Sequence, residues 1–171
     1  MHPILYPPGE KDFLDNGLAV LTDCTKCLVT EERNGAYTLE MQYPANGRHY
    51  DLIAEDCILL AKPNPDDEPQ PFRIYKSGVT MSGVTTWYGE HVSYFANDVP
   101  IEPIATSQTT PAGAFAKISA AAALENPFTF STTLSTETSF GLAMPTPLKK
   151  VLGGVDGSVL DQFGGEYHYN K

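Results

Sequence analysis

The most regular alternation of apolar and polar positions lies in Thr30–Pro44, TEERNGAYTLEMQYP. Tyr37, Leu39, Met41 and Tyr43 alternate with Thr38, Glu40 and Gln42, the two-residue period of a strand with one buried face and one wet face. Asn34-Gly35 supplies residues that tolerate positive φ, so a hairpin turn is expected ahead of this strand. In the preceding arm Cys27 and Val29 are apolar, and Glu31 continues their row. A two-residue turn would pair Leu39 with Thr30. A three-residue loop, Arg33-Asn34-Gly35, pairs Leu39 with Val29 and Met41 with Cys27. The second register gathers more apolar side chains on one face and is the one expected, with Gly35 as the bulge residue at positive φ. A lone hairpin is marginal in water, so other strands must cover the Tyr37–Tyr43 face.

The rest of the chain supplies candidates. His2–Tyr6 is a short apolar run closed by Pro7-Pro8-Gly9, and Leu18–Thr22 follows a turn at Asn16-Gly17. Asn46-Gly47 starts a loop anchored by Tyr50, Leu52 and Ile53. Cys57–Lys62 is apolar on both sides and is predicted as a central strand. Pro63–Pro71 is expected to be an exposed loop, because proline donates nothing to a ladder. Phe72–Ser77 and Val84–Glu90 form a second predicted hairpin around Gly78–Gly83. His91–Ala96 breaks the alternation into a helical turn, and Val99–Ser107 reads as extended.

Composition changes at Thr109. Thr110 is the predicted N-cap of an Ala-rich helix over Ala112–Leu124, with Pro111 at its first position and Phe115, Ile118 and Leu124 as anchors. Asn126-Pro127 is expected to end it. Phe128–Thr133 and Ser139–Ala143 read as strands. Thr146-Pro147 opens a second helix, Leu148–Leu152, and Asp156 caps a third, Gly157–Phe163. Glu166–Asn170 reads as a further strand that meets the chain end without a turn, which suggests a fragment of something longer. The expected fold class is α+β, mainly β: a barrel-like antiparallel β unit over residues 1–105 and a smaller α+β unit over 106–171, truncated at its C-terminal end.

Charge narrows the partners. The formal net charge is −10, and the Lys and Arg residues are scattered, so a phosphate-binding surface is not expected. No basic-then-apolar leader precedes residue 22, and no apolar run approaches the length of a membrane span. A soluble chain made in the cytoplasm is expected.

Candidate chemistry is sparse. Cys24, Cys27 and Cys57 do not form a disulfide framework by number or spacing. Cys24-Thr-Lys-Cys27 is formally C-x-x-C, but a zinc site wants a second pair, and positions three apart on a strand point to opposite faces. Buried reduced thiols are therefore expected. No nucleophile elbow, phosphate loop, dinucleotide fingerprint or zinc-protease motif occurs, and Gly157-Ser158 lacks the elbow's flanks. His2, His49, His91 and His168 sit in unrelated contexts, and Glu90 and His91 should face opposite ways on a strand. Asp66-Asp67-Glu68 lacks the alternating ligands of a calcium loop. Trp87, Tyr88, Tyr94 and Phe95 are expected to be core rather than a sugar platform. No catalytic, metal or cofactor-binding residue is assigned, and no cofactor is expected.

Taken together, several motifs resemble a known family. They are Ile4–Tyr6, TEERNGAY with Leu39-Glu40, Glu68–Tyr75 (EPQPFRIY), Gly89–Tyr94 (GEHVSY), Asn126–Phe130 (NPFTF), Leu152–Ser158 (LGGVDGS) and Phe163–Glu166 (FGGE). In this order, over nearly the whole chain, they look like the N-terminal region of phage minor structural proteins, the tail-associated or prophage tail endopeptidase proteins. The resemblance implies a hub-like fold in a trimeric ring beneath the tail tube. It implies the distal tail protein, the tape-measure protein and receptor-binding tip proteins as partners, with no specific nucleic-acid binding. It also implies residence in the virion tail, and in the bacterial host cytoplasm before lysis. No peptidase residue maps onto this sequence, so the chain itself is expected not to be an enzyme; any hydrolase would lie in a C-terminal extension. The alternative is a tail-tip enzyme or sugar-binding module acting on the host cell wall.

Overall fold

The computed structural model describes residues 2–169, which fall into two compact units, residues 1–92 with 169–171 and residues 93–168. The division expected near residue 105 does not coincide with this one. Val99, Ile101 and Ile104 pack in the core of the second unit, so Val99–Ser107 is part of that unit.

The first unit is a curled seven-stranded antiparallel half-barrel. Its strands are β1 (Ile4–Tyr6), β2 (Ala19–Val20), β3 (Lys26–Glu31), β4 (Tyr37–Pro44), β5 (Ile58–Ala61), β6 (Gln70–Val79) and β7 (Val84–His91). They lie in the order β2-β1-β5-β6-β7-β4-β3. The register expected for the first hairpin is the one formed: Val29 pairs with Leu39 and Cys27 with Met41. Tyr37, Leu39, Met41 and Tyr43 are all buried, while Thr38, Glu40 and Gln42 are half-exposed. The turn differs in one detail. Asn34, not Gly35, takes the positive φ, at 54°. Gly35 is needed for space, because a Cβ there would stand 2.9 Å from Glu32 Cβ.

β5 is buried along its whole length between β1 and β6, as a central strand should be. The loop expected over Pro63–Pro71 stops short, because Gln70 and Pro71 are the first residues of β6 and are buried. Pro71 pairs with Leu60 of β5, whereas pairing with β7 begins only at Phe72. A residue without an amide proton fits there because it starts the strand, beyond the end of its second neighbour. The second hairpin forms with longer strands and a tighter turn, in which Gly83 N–H donates to the Thr80 carbonyl at 3.1 Å. A bulge at Tyr75 resets its alternation: Phe72 and Ile74 share the buried face before it, and Lys76 takes the polar face after it.

The second unit holds two short pairs, β8 (Pro100–Ile101) with β11 (Thr146–Pro147) and β9 (Ile104–Thr109) with β10 (Thr138–Leu142). The β9–β10 pair is bulged at Gly141, where a Cβ would meet the Thr106 backbone at 2.6 Å. A 3₁₀ segment over Val92–Asp98 precedes β8, as the broken alternation predicts. Helix α1 (Pro111–Ala120) begins as expected: Thr110 Oγ1 accepts from Gly113 N–H at 3.3 Å. Pro111, Ala114, Phe115 and Ile118 form its buried stripe. It ends before Leu124, which is exposed, because Ala122 is drawn into a bridge with Ile101. No strand forms over 128–133, where Phe128 and Phe130 pack into the core as irregular chain.

Two cap expectations are corrected. α2 (Leu148–Leu152) has Pro147 at its N-cap, and the Thr146 hydroxyl instead donates to the Met144 carbonyl. α3 (Val159–Phe163) is capped by Ser158, not Asp156. Ser158 Oγ accepts from Asp161 N–H at 3.4 Å, and the Asp161 carboxylate reaches back to Gly157 N–H at 2.7 Å, a capping box one position on. The strand expected over Glu166–Asn170 does not form at residues 166–169, and Asn170 lies outside the described residues.

Leu39→Ala should lower the unfolding free energy by about 2–5 kcal/mol in urea titrations, whereas Thr30→Ala on the exposed edge should cost about 1 kcal/mol or less. Ser158→Ala should cost about 0.5–2 kcal/mol through the lost cap.

Candidate functional site

The half-barrel presents two chemically distinct faces. On one, Leu39 pairs with Gly89, Met41 with Trp87 and Tyr43 with Thr85, all buried. The other carries charge. Arg73 Nη2 donates to Glu90 Oε1 at 2.5 Å and Lys26 Nζ to Glu40 Oε1 at 2.8 Å. Lys76 lies over the Tyr88 ring.

Glu90 and His91 point to opposite faces, as strand geometry requires. Glu90 pairs with Arg73, while His91 is buried in an aromatic cluster. The His91 ring stacks on Tyr37 at 4.5 Å and stands edge-on to Phe72 at 5.5 Å. Tyr169 lies 5.1 Å from it. His91 Nε2 is 3.3 Å from Gln70 Oε1, and the Gln70 amide donates to the Tyr169 carbonyl at 3.4 Å. An acceptor opposite Nε2 places the proton on that nitrogen. This cluster joins residues 70, 91 and 169, and only the Phe72–Tyr37–His91 part follows from strand alternation.

The remaining residues weighed from the sequence stand apart. His2, His49 and His168 are exposed. Asp66, Asp67 and Glu68 are exposed in a turn where Asn64 accepts from the Asp66 and Asp67 amides. Among the described residues no three His, Cys, Asp or Glu side chains gather as a metal site would require. Trp87 is buried, and Tyr88, Tyr94 and Phe95 are half-buried; Lys149 lies over Tyr94 at 4.6 Å. Ser158 is occupied as a helix cap. In the second unit a groove of about 420 Å³ runs beside α1, where Phe115 and Phe130 stack at 5.0 Å. Its lining offers hydroxyls and apolar surface but no titratable group.

The cysteines overturn an expectation. Cys57 is buried, but Cys24 is half-exposed and Cys27 exposed. Cys24 and Cys27 do not point apart, because their thiols share a hydrogen bond. Strand alternation does not reach Cys24, since β3 begins only at Lys26 and Cys24 sits in the turn before it. The Thr22-Asp23 break in the apolar pattern was the signal available for this. The Cys27 thiol donating to Cys24 holds Cys24 below its ordinary pKa, and the same bond pushes Cys27 up.

β3 is an edge strand among the described residues, and all of it is exposed except half-buried Val29. Glu32 N–H donates to the Ala36 carbonyl at 2.7 Å, which makes Thr30, Leu28 and Lys26 the residues that exchange ladder bonds with β4. Cys27, Val29 and Glu31 therefore turn their backbone groups outward along an open edge.

No protein-family model matches the chain, and no curated protein matches it in sequence. In fold it is similar to the crystal structure of prophage tail protein gp18 from Listeria monocytogenes EGD-e, with a TM-score of 0.69 at 13% identity over 96% of this chain. The likeness spans 46% of that protein's length.

Burial, with the Glu31 carboxylate second, pushes the Tyr37 hydroxyl well above its ordinary pKa. Burial shifts Tyr6 and Tyr43 in the same direction. An unfolded tyrosine titrates near about pH 10, so this stabilisation is complete below that pH and is lost as the pH rises further. The urea midpoint should fall between about pH 9 and about pH 11. It should fall less in Tyr37→Phe than in the native chain.

Proposed function

We propose that this chain is a structural component of a phage or prophage tail tip. In this reading it forms a hub-like ring below the tail tube that anchors the tip and closes the DNA channel. The observation that carries the reading is the likeness to a prophage tail protein along 96% of the chain. The open β3 edge suits an assembly protein, because unpaired ladder groups are a template for another chain. The ring is a homotrimer that contacts the distal tail protein, the tape-measure protein and the receptor-binding tip proteins, and its place is the virion tail. Its inner wall carries part of the net charge of −10, which repels passing phosphates within a Debye length of about 8 Å. The chain is not itself a hydrolase: Glu90, the acid nearest a buried histidine in sequence, is committed to Arg73 and faces away from His91.

Light scattering of the purified chain with the adjacent distal tail protein should give a complex containing three copies. A persistent monomer there, or density for this domain away from the axis of an assembled tail tip, would refute the ring. Purified cell-wall sacculi should stay turbid in its presence. Clearing that disappears on mutation of one acidic residue or histidine would show that the chain is an enzyme.

A further inference from the structure

Cys24 and Cys27 flank Thr25 and Lys26 at the start of the open edge strand. The backbone between them is fixed from two sides. Thr25 N–H and its hydroxyl both donate to the Gln42 carbonyl, at 3.0 and 3.1 Å. Lys26 is held on the opposite face by Glu40. The Cys24 thiol donates to the Lys26 carbonyl at 3.1 Å, and the Cys27 thiol donates to Cys24 Sγ. The two sulfurs are thus already in contact at a solvent-accessible position, while Cys57, the third cysteine, is buried beside the Leu52 carbonyl.

We propose that Cys24 and Cys27 are a redox-active dithiol that small-molecule disulfides oxidise to an intrachain disulfide, closing the Cys24-Thr-Lys-Cys27 ring at the foot of β3. The lowered pKa of Cys24 makes it the attacking sulfur, and the raised pKa of Cys27 makes it the resolving one. The Cys24 thiolate attacks one sulfur of the reagent, whose S–S bond breaks and releases one thiolate. Cys27 then gives its proton to water and attacks Cys24 Sγ, and the second thiolate leaves. Two protein thiols are oxidised by two electrons, and one reagent disulfide becomes two thiols once its thiolates take up the protons released.

The test uses the native chain and oxidised glutathione. After incubation, acid quench and N-ethylmaleimide labelling under denaturing conditions, the untreated chain takes up an adduct on each of its three cysteines. The oxidised chain should take up one, on Cys57. Trypsin cuts after Lys26, so the disulfide should join the peptide of residues 12–26 to that of residues 27–33. Cys27→Ser should stop at a glutathione adduct on Cys24. Retention of all three adducts would overturn the proposal. So would a glutathione adduct that never resolves in the native chain, a bond to Cys57, or a cross-linked dimer on a non-reducing gel.

Discussion

The half-barrel depends on the register of β4, which is ladder-paired to β3 on one side and to β7 on the other. Side chains alternate with period two, so a slip of one residue would send Tyr37, Leu39, Met41 and Tyr43 to the charged face and bury Glu40. The three-residue turn at Arg33–Gly35 sets that register from one end. It also decides what lies across β7: Trp87 beside Met41, Gly89 beside Leu39, and His91 in reach of Tyr37. The ion pairs Lys26–Glu40 and Arg73–Glu90 follow from the same choice, because they occupy the complementary set of positions. These pairs are partly solvated, so their contribution to stability is small beside that of the buried row.

The second unit is built differently. Its strands are short, and its core collects Ala96, Val99, Ile101 and Ile104 with the apolar stripe of α1 and single residues from α2, α3 and β10. Local chemistry does more of the specification here. A Thr–Pro start fixes α1, a reciprocal Ser–Asp cap fixes α3, and Gly164 at a φ of 71° ends it. Each cap supplies a partner for amide groups that a helix terminus leaves unsatisfied.

Much of the sheet was legible because its signals are local. The Tyr37–Tyr43 alternation, the apolar Cys57–Lys62 run and the second hairpin each carry a period or a turn that short-range chemistry dictates. The misreadings arose where a neighbour distant in sequence decides. Pro71 is admitted to a strand because β7 has already ended beside it. α1 stops at Ala120 because Ala122 bridges to Ile101. Phe128 and Phe130 look like strand residues but are held by core packing without a ladder. The aromatic cluster includes Tyr169, whose place beside Gln70 and His91 has no local signature. The cysteine pair was misread for the opposite reason: a strand rule was applied to a residue just outside the strand.

The sheet order also sets the sequence in which it can be assembled. The β3–β4 hairpin closes a loop of three residues, whereas joining β4 to β7 brings Pro44 to Val84 across roughly forty residues. On chain-closure entropy alone the second step costs about 2 kcal/mol more than the first. Both hairpins can form while neighbouring pieces of chain are still disordered; the β4–β7 seam that joins them cannot. Until that seam zips, the apolar sides of the hairpins are open to water and to one another. The rate at which the half-barrel matures is therefore governed by the meeting of two preformed halves, not by the formation of either.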